Sequence, residues 1–112
     1  MKEEILIKTT KEYYDSGNDE FEKKRYNSSV VLYFKALIAI SDYIIYKKTG
    51  ETPSSHTNRF RTTEKEFPEI YNLIDKDFQF YQDSYSQVMS KELAEVIKQD
   101  VQTLAKKTQI KI

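Results

Sequence analysis

One stretch restricts what this chain can fold into more than any other. From Ser29 to Tyr46 it runs SVVLYFKALIAISDYIIY, fourteen of its eighteen residues apolar. A surface helix carries an apolar stripe beside a broad polar face, whereas a helix apolar nearly all round has to be covered on most sides. The polar exceptions fall on a thin line, because Ser28, Lys35, Asp42 and Thr49 are spaced by sevens and seven residues fall only ~20° short of two full turns. The expected architecture is a long central helix over residues 20–48, with other helices wrapped round it. Such a helix, about 29 residues at ~1.5 Å each, is roughly 43 Å long and sets the long dimension of the fold. It is not expected to cross a membrane: Lys35 and Asp42 would each cost about 2.5–3.5 kcal/mol at mid-bilayer, and its flanks are strongly charged.

The 112 residues make room for one domain, 1–112, able to bury a core without staples. Two glycines, two prolines and no low-complexity tract leave no linker in view. The absence of cysteine removes disulfides, thiolate metal sites and a cysteine nucleophile, and suits a cytoplasmic location. No signal peptide is expected, since Met1 to Lys11 is charged and holds only the short apolar run Ile5 to Ile7. Eighteen basic and eighteen acidic residues cancel, so no global field draws the chain to nucleic acid. A local basic excess remains, where Lys47, Lys48, Arg59, Arg61 and Lys65 outnumber Glu51 and Glu64.

The remaining elements follow from their punctuation. A first helix is expected over Lys2 to Ser16 with Ile5, Leu6, Tyr13 and Tyr14 inward, stopped by Gly17 in the left-handed conformation. Asp19, with Glu22 three residues on, reads as a capping box that opens the central helix, and Gly50 closes that helix. Ser54 or Ser55 caps a short helix from His56 to Glu66. Pro68 opens a fourth helix with Ile70, Leu73, Ile74, Phe78 and Tyr81 at three- and four-residue spacing. Ser90 caps a fifth, to about Lys107, that buries Leu93, Ile97, Val101 and Leu104. The fold class is all-α: an up-and-down bundle of four to five helices around the long central one.

Chemistry is sparse. The one histidine, His56, shares a helix face with Arg59, a pair of the kind that does acid and electrophilic work on a phosphodiester. In a helix's first turn a histidine is more often structural. Lys47, Lys48, Arg59 and Arg61 with His56 form the candidate nucleotide- or RNA-binding patch. Tyr33, Tyr43, Tyr46, Tyr81 and Tyr85 either pack or line a cleft in which bases could stack. No metal and no cofactor are expected: one histidine, no cysteine, and carboxylates such as Asp75 and Asp77, two apart on a helix, make no ligand set. Gly17 and Gly50 build no phosphate loop.

Several segments in order, namely Tyr26-Asn27-Ser28-Ser29, Phe34-Lys35-Ala36-Leu37, Lys48-Thr49-Gly50, Pro53 then His56, Phe67-Pro68, and Tyr81-Gln82-Asp83-Ser84-Tyr85-Ser86 before a final helix, give a chain that resembles the small prokaryotic HEPN domains over about residues 20–107. The resemblance implies a helical bundle, commonly a homodimer, often paired with a minimal nucleotidyltransferase as a toxin–antitoxin system. Many such domains are metal-independent ribonucleases whose active site is an arginine followed a few residues later by a histidine. That motif is missing here, because His56 precedes Arg59 and Arg61 and lies far beyond Arg25. What the resemblance implies is therefore a non-catalytic module that pairs with a nucleotidyltransferase-type partner or binds nucleotide or RNA. The alternatives are a divergent ribonuclease using His56 and Arg59, and a purely structural subunit of an assembly.

Overall fold

In the computed structural model, which describes residues 2–112, every regular element is a helix: α1 (Lys2–Glu22), α2 (Tyr26–Thr49), α3 (His56–Glu66), α4 (Pro68–Asp83) and α5 (Lys91–Thr108). Helices α1, α2, α4 and α5 alternate up and down. Tyr33 of α2 donates to Asn18 near the end of α1, whereas Tyr43 and Lys47 reach Glu3 at its start. Lys107 pairs with Glu69 across the open ends of α5 and α4, and Lys76 with Asp100 midway. The short α3 packs along α4, where Phe60 meets Tyr71 and Phe78 edge-on, the latter with ring centroids 5.5 Å apart.

Helix α2 is the core, as its composition requires. Val30, Tyr33, Ala36, Leu37 and Ile40 are fully buried, and Ile74, Ala94, Ile97 and Val101 close over them from α4 and α5. By length and composition α2 could cross a membrane, but 67% of its most apolar window is buried inside the fold. Its 24 residues span roughly 36 Å at ~1.5 Å each, close to the 38 Å longest dimension of the molecule.

The boundaries of α3, α4 and α5 fall where their caps put them. Ser55 Oγ accepts from the Asn58 amide, Ser90 Oγ from that of Leu93, and Pro68 occupies the first turn of α4. Gly50, at φ 79°, ends α2 and bonds back to the Tyr46 carbonyl.

The junction of α1 and α2 departs from expectation. Gly17 does not stop α1; it lies inside the helix, buried, and a Cβ there would stand 2.6 Å from Tyr33 Cδ1. The glycine serves close approach of the α2 ring rather than a left-handed turn. Asp19 and Glu22 accordingly belong to α1 and cap nothing. The break comes at Lys24, a non-glycine residue at φ 60°. There the Arg25 amide reaches the Glu20 carbonyl (2.9 Å) and the Lys24 amide that of Phe21 (3.0 Å), the paired bonds of a Schellman ending. Ile5, expected inward, is 59% exposed. Thr10 is buried instead, its hydroxyl donating to the Leu6 carbonyl at 2.8 Å.

Candidate functional site

The polar line along α2 does not all face water. Around Lys35, Ile38 and Asp42 it forms the floor of a cleft of about 410 Å³, walled by Leu6, Thr9 and Tyr13 of α1 and by Pro53 to His56 and Arg59 at the start of α3, with Phe34 and Tyr81 at one end. Its size falls in the range of small-molecule sites, about 300–1,000 Å³.

Arg59 is the structural centre of this cleft. The Ser55 cap fixes the first turn of α3, and one turn on the Arg59 side chain reaches across to α2. Its Nε lies 2.7 Å from Asp42 Oδ1 and its Nη2 2.9 Å from Oδ2, a forked pairing that satisfies both carboxylate oxygens. Its Nη1 donates to His56 Nδ1 at 2.9 Å. Arginine offers only donors, so Nδ1 accepts and the neutral ring carries its proton on Nε2. Partial burial and the adjacent Arg59 charge hold the His56 pKa below its ordinary value; Asp42 opposes them and Lys35 adds to them. At neutral pH the imidazole is uncharged.

Lys35 is the exposed cation of the cleft. It forms no ion pair among the described residues, and its Nζ stands 5.9 Å from the centre of the Tyr13 ring. Ser54 and Ser55 line the same cleft. Phe34 and Tyr81 stack at 4.7 Å, and the Tyr81 hydroxyl meets that of Tyr85 at 3.0 Å. A cation, hydroxyls, a neutral imidazole and aromatic rings converge on one space, which suits a small anion carrying a flat group.

His56 and Arg59 therefore come together, but the other members of the basic patch do not join them. Lys47 pairs with Glu3 at 3.4 Å, Lys48 sits 5.1 Å from the Phe67 ring centre, Arg61 is exposed on α3, and none of the three lines the cleft. Of the tyrosines, Tyr33 is core, Tyr43 and Tyr46 are half-buried, Tyr81 lines the cleft and Tyr85 is exposed. Lys35 and Tyr13 are cleft residues that the sequence showed only as a polar-line member and an inward-facing tyrosine.

A second polar cluster lies between α4 and α5. Asp77 is fully buried, no donor side chain or amide reaches either of its oxygens within hydrogen-bond distance, and Lys76 Nζ stands 3.8 Å from one of them and 3.0 Å from Asp100. Burial first, then a hydrogen bond and the charge of Asp100, push the Asp77 carboxyl up to about 9, with Lys76 opposing. A proton on Asp77 supplies the hydrogen bond to Asp100. Among the described residues no group of three or more His, Cys, Asp and Glu is placed to hold a metal ion. Compared with protein-family models, with curated proteins and with solved structures, the chain matches none.

Proposed function

We propose that this chain is a non-catalytic, HEPN-like helical module that works as a homodimer and binds the phosphate and base of a nucleotide or of RNA, or does so beside a nucleotidyltransferase-type partner in a toxin–antitoxin setting. The observation that carries the reading is the state of Arg59. Three of its nitrogens are already committed to Asp42 and His56, so it has little left to clamp a scissile phosphate. His56, kept neutral, is poorly suited to act as the acid that a metal-free ribonuclease needs. Both features speak for holding an anion rather than cutting it, and the exposed Lys35 is the charge that would meet it. Tyr81, half-buried at one end of the cleft and backed by the core ring of Phe34, is the aromatic group a base would meet.

The test is a titration of purified protein with AMP, ATP and short single-stranded RNA, followed by amide chemical shifts, beside cleavage of labelled RNA with chelator present. Binding is expected to perturb the cleft residues, to weaken with salt and to be lost in Lys35→Glu, with no cleavage. RNA cleavage that disappears in His56→Ala would replace this reading with the ribonuclease one. No binding of any of the three would leave protein partnership as the role.

A further inference from the structure

The charges that line the cleft nearly cancel. Arg59 and Asp42 neutralise each other through two bonds of 2.7 and 2.9 Å, and His56 stays neutral while its Nδ1 accepts from Arg59 Nη1. The phenols of Tyr13 and Tyr81 add no charge. Lys35 on the floor is exposed and pairs with no carboxylate among the described residues. One positive charge is left over for whatever enters.

A single proton changes that balance. A charged imidazole has an N–H on both nitrogens, so a protonated His56 turns a donor towards a donor of Arg59. The guanidinium is held by its fork onto Asp42, whereas His56 is exposed at the first residue of α3, its ring centroid 6.0 Å from that of Phe78. The imidazole is therefore the group that turns away, and it does so as a cation. Facing it are Arg59 on its own helix, Lys35 and Asp42 of α2, Tyr81 of α4 and Tyr13 of α1. Partial burial, and then the Arg59 charge, place its protonation below the ordinary histidine range, with Asp42 opposing.

We infer, on the reading of this cleft as an anion site, that it takes a flat organic anion with one negative charge, set against Lys35, and that protonating His56 adds a second cation and tightens the same site in acid. A singly charged carboxylate or phosphodiester fits this balance. A phosphate chain with several charges finds one free cation.

Naphthalenesulfonate is a flat anion whose charge does not change with pH, so it isolates the titration of the protein. Amide chemical shifts give its affinity from about pH 8 to about pH 5, while the ring signals of His56, the one histidine, report the proton. At the neutral end naphthalenedisulfonate is expected to bind comparably, its second charge unmet. As His56 protonates, affinity for the monosulfonate should rise about threefold, the Coulomb value of one further unit charge about 6 Å away in water, and bound sulfonate should favour the proton on His56 by the same factor. His56→Gln keeps a neutral partner for Arg59 and should lose the rise. Lys35→Gln should weaken binding at least about threefold at every pH. Naphthoate and cyclic AMP, each binding through one charge, tell a carboxylate from a phosphodiester by which binds more tightly. A disulfonate at least about tenfold tighter at neutral pH would overturn the single-charge match, and an affinity that stays flat while the ring titrates would overturn the part given to His56; both leave the anion site standing. Cleft amides unmoved by every probe, or binding unchanged in Lys35→Gln, would overturn the anion site itself.

Discussion

Two aspartates lie inside this bundle under opposite conditions. Asp42, between α2 and α3, has both oxygens forked onto Arg59. Asp77, between α4 and α5, has no donor on either oxygen and faces a second carboxylate, Asp100. The first is neutralised by a cation on a neighbouring helix and the second by a proton. A protonated acid ties the stability of its helix contact to pH. The cleft is thus built on an ion pair, and the molecule's sensitivity to alkali is placed between α4 and α5.

Removing the cation should have the largest effect. Arg59→Ala leaves Asp42 nearly buried and unpaired, a change expected to cost about 3–5 kcal/mol in urea unfolding, and Asp42→Asn added to it should recover much of that loss. If Arg59→Ala proves nearly neutral, the pair is not the support of the cleft. Leu37→Ala in the apolar middle of α2, expected to cost about 2–5 kcal/mol, gives the scale against which both polar sites are judged.

Asp77→Asn should act in the other direction. The raised pKa means that above about pH 4 the unfolded chain gives up a proton that the folded one keeps until about pH 9. Native stability contributed by this group is therefore full in acid and drains away as pH climbs through that window. The amide cannot ionise, so the variant should be more stable than wild type by about 1.4 kcal/mol or more at pH 8, the worth of one pKa unit, with the difference closing towards pH 4. A pH-independent difference would mean that Asp77 does not carry the proton. The smallest effect is expected of His56→Ala, within about 1 kcal/mol, since Arg59 keeps its carboxylate when this exposed ring is gone; a larger loss would make the histidine a third member of the support.

How far the sequence revealed all this depended on whether a residue had one physical use or two. Ser55, Pro68, Ser90 and Gly50 each had one plausible role in their context, and the helices they bound begin or end where expected. Gly17 had two, since a glycine serves a positive φ and equally a neighbour that needs the Cβ position; the ring that fills that position, Tyr33, belongs to another helix. Lys24 carried no signal, because its left-handed conformation is held by backbone bonds that any side chain allows. In the cleft, the three-residue spacing of His56 and Arg59 was visible, and Asp42 stood out as a polar interruption, but their pairing spans a loop. Asp77 and Asp100 meet only because α4 and α5 run antiparallel, so local spacing offered Asp75 as the nearer companion.

Gly17 has one further effect, on alignment. Tyr33 lies against the single gap in a row of side chains, and its hydroxyl is held by the very next residue, Asn18, at 2.6 Å. Slide α1 by a turn in either direction and the ring strikes a Cβ. The glycine is an index mark that gives the α1–α2 hairpin one permitted register, and that register decides which α1 residues stand opposite Lys35 and Asp42. The lip of the cleft formed by Leu6, Thr9 and Tyr13 is therefore set from farther along α1, by the absence of a side chain.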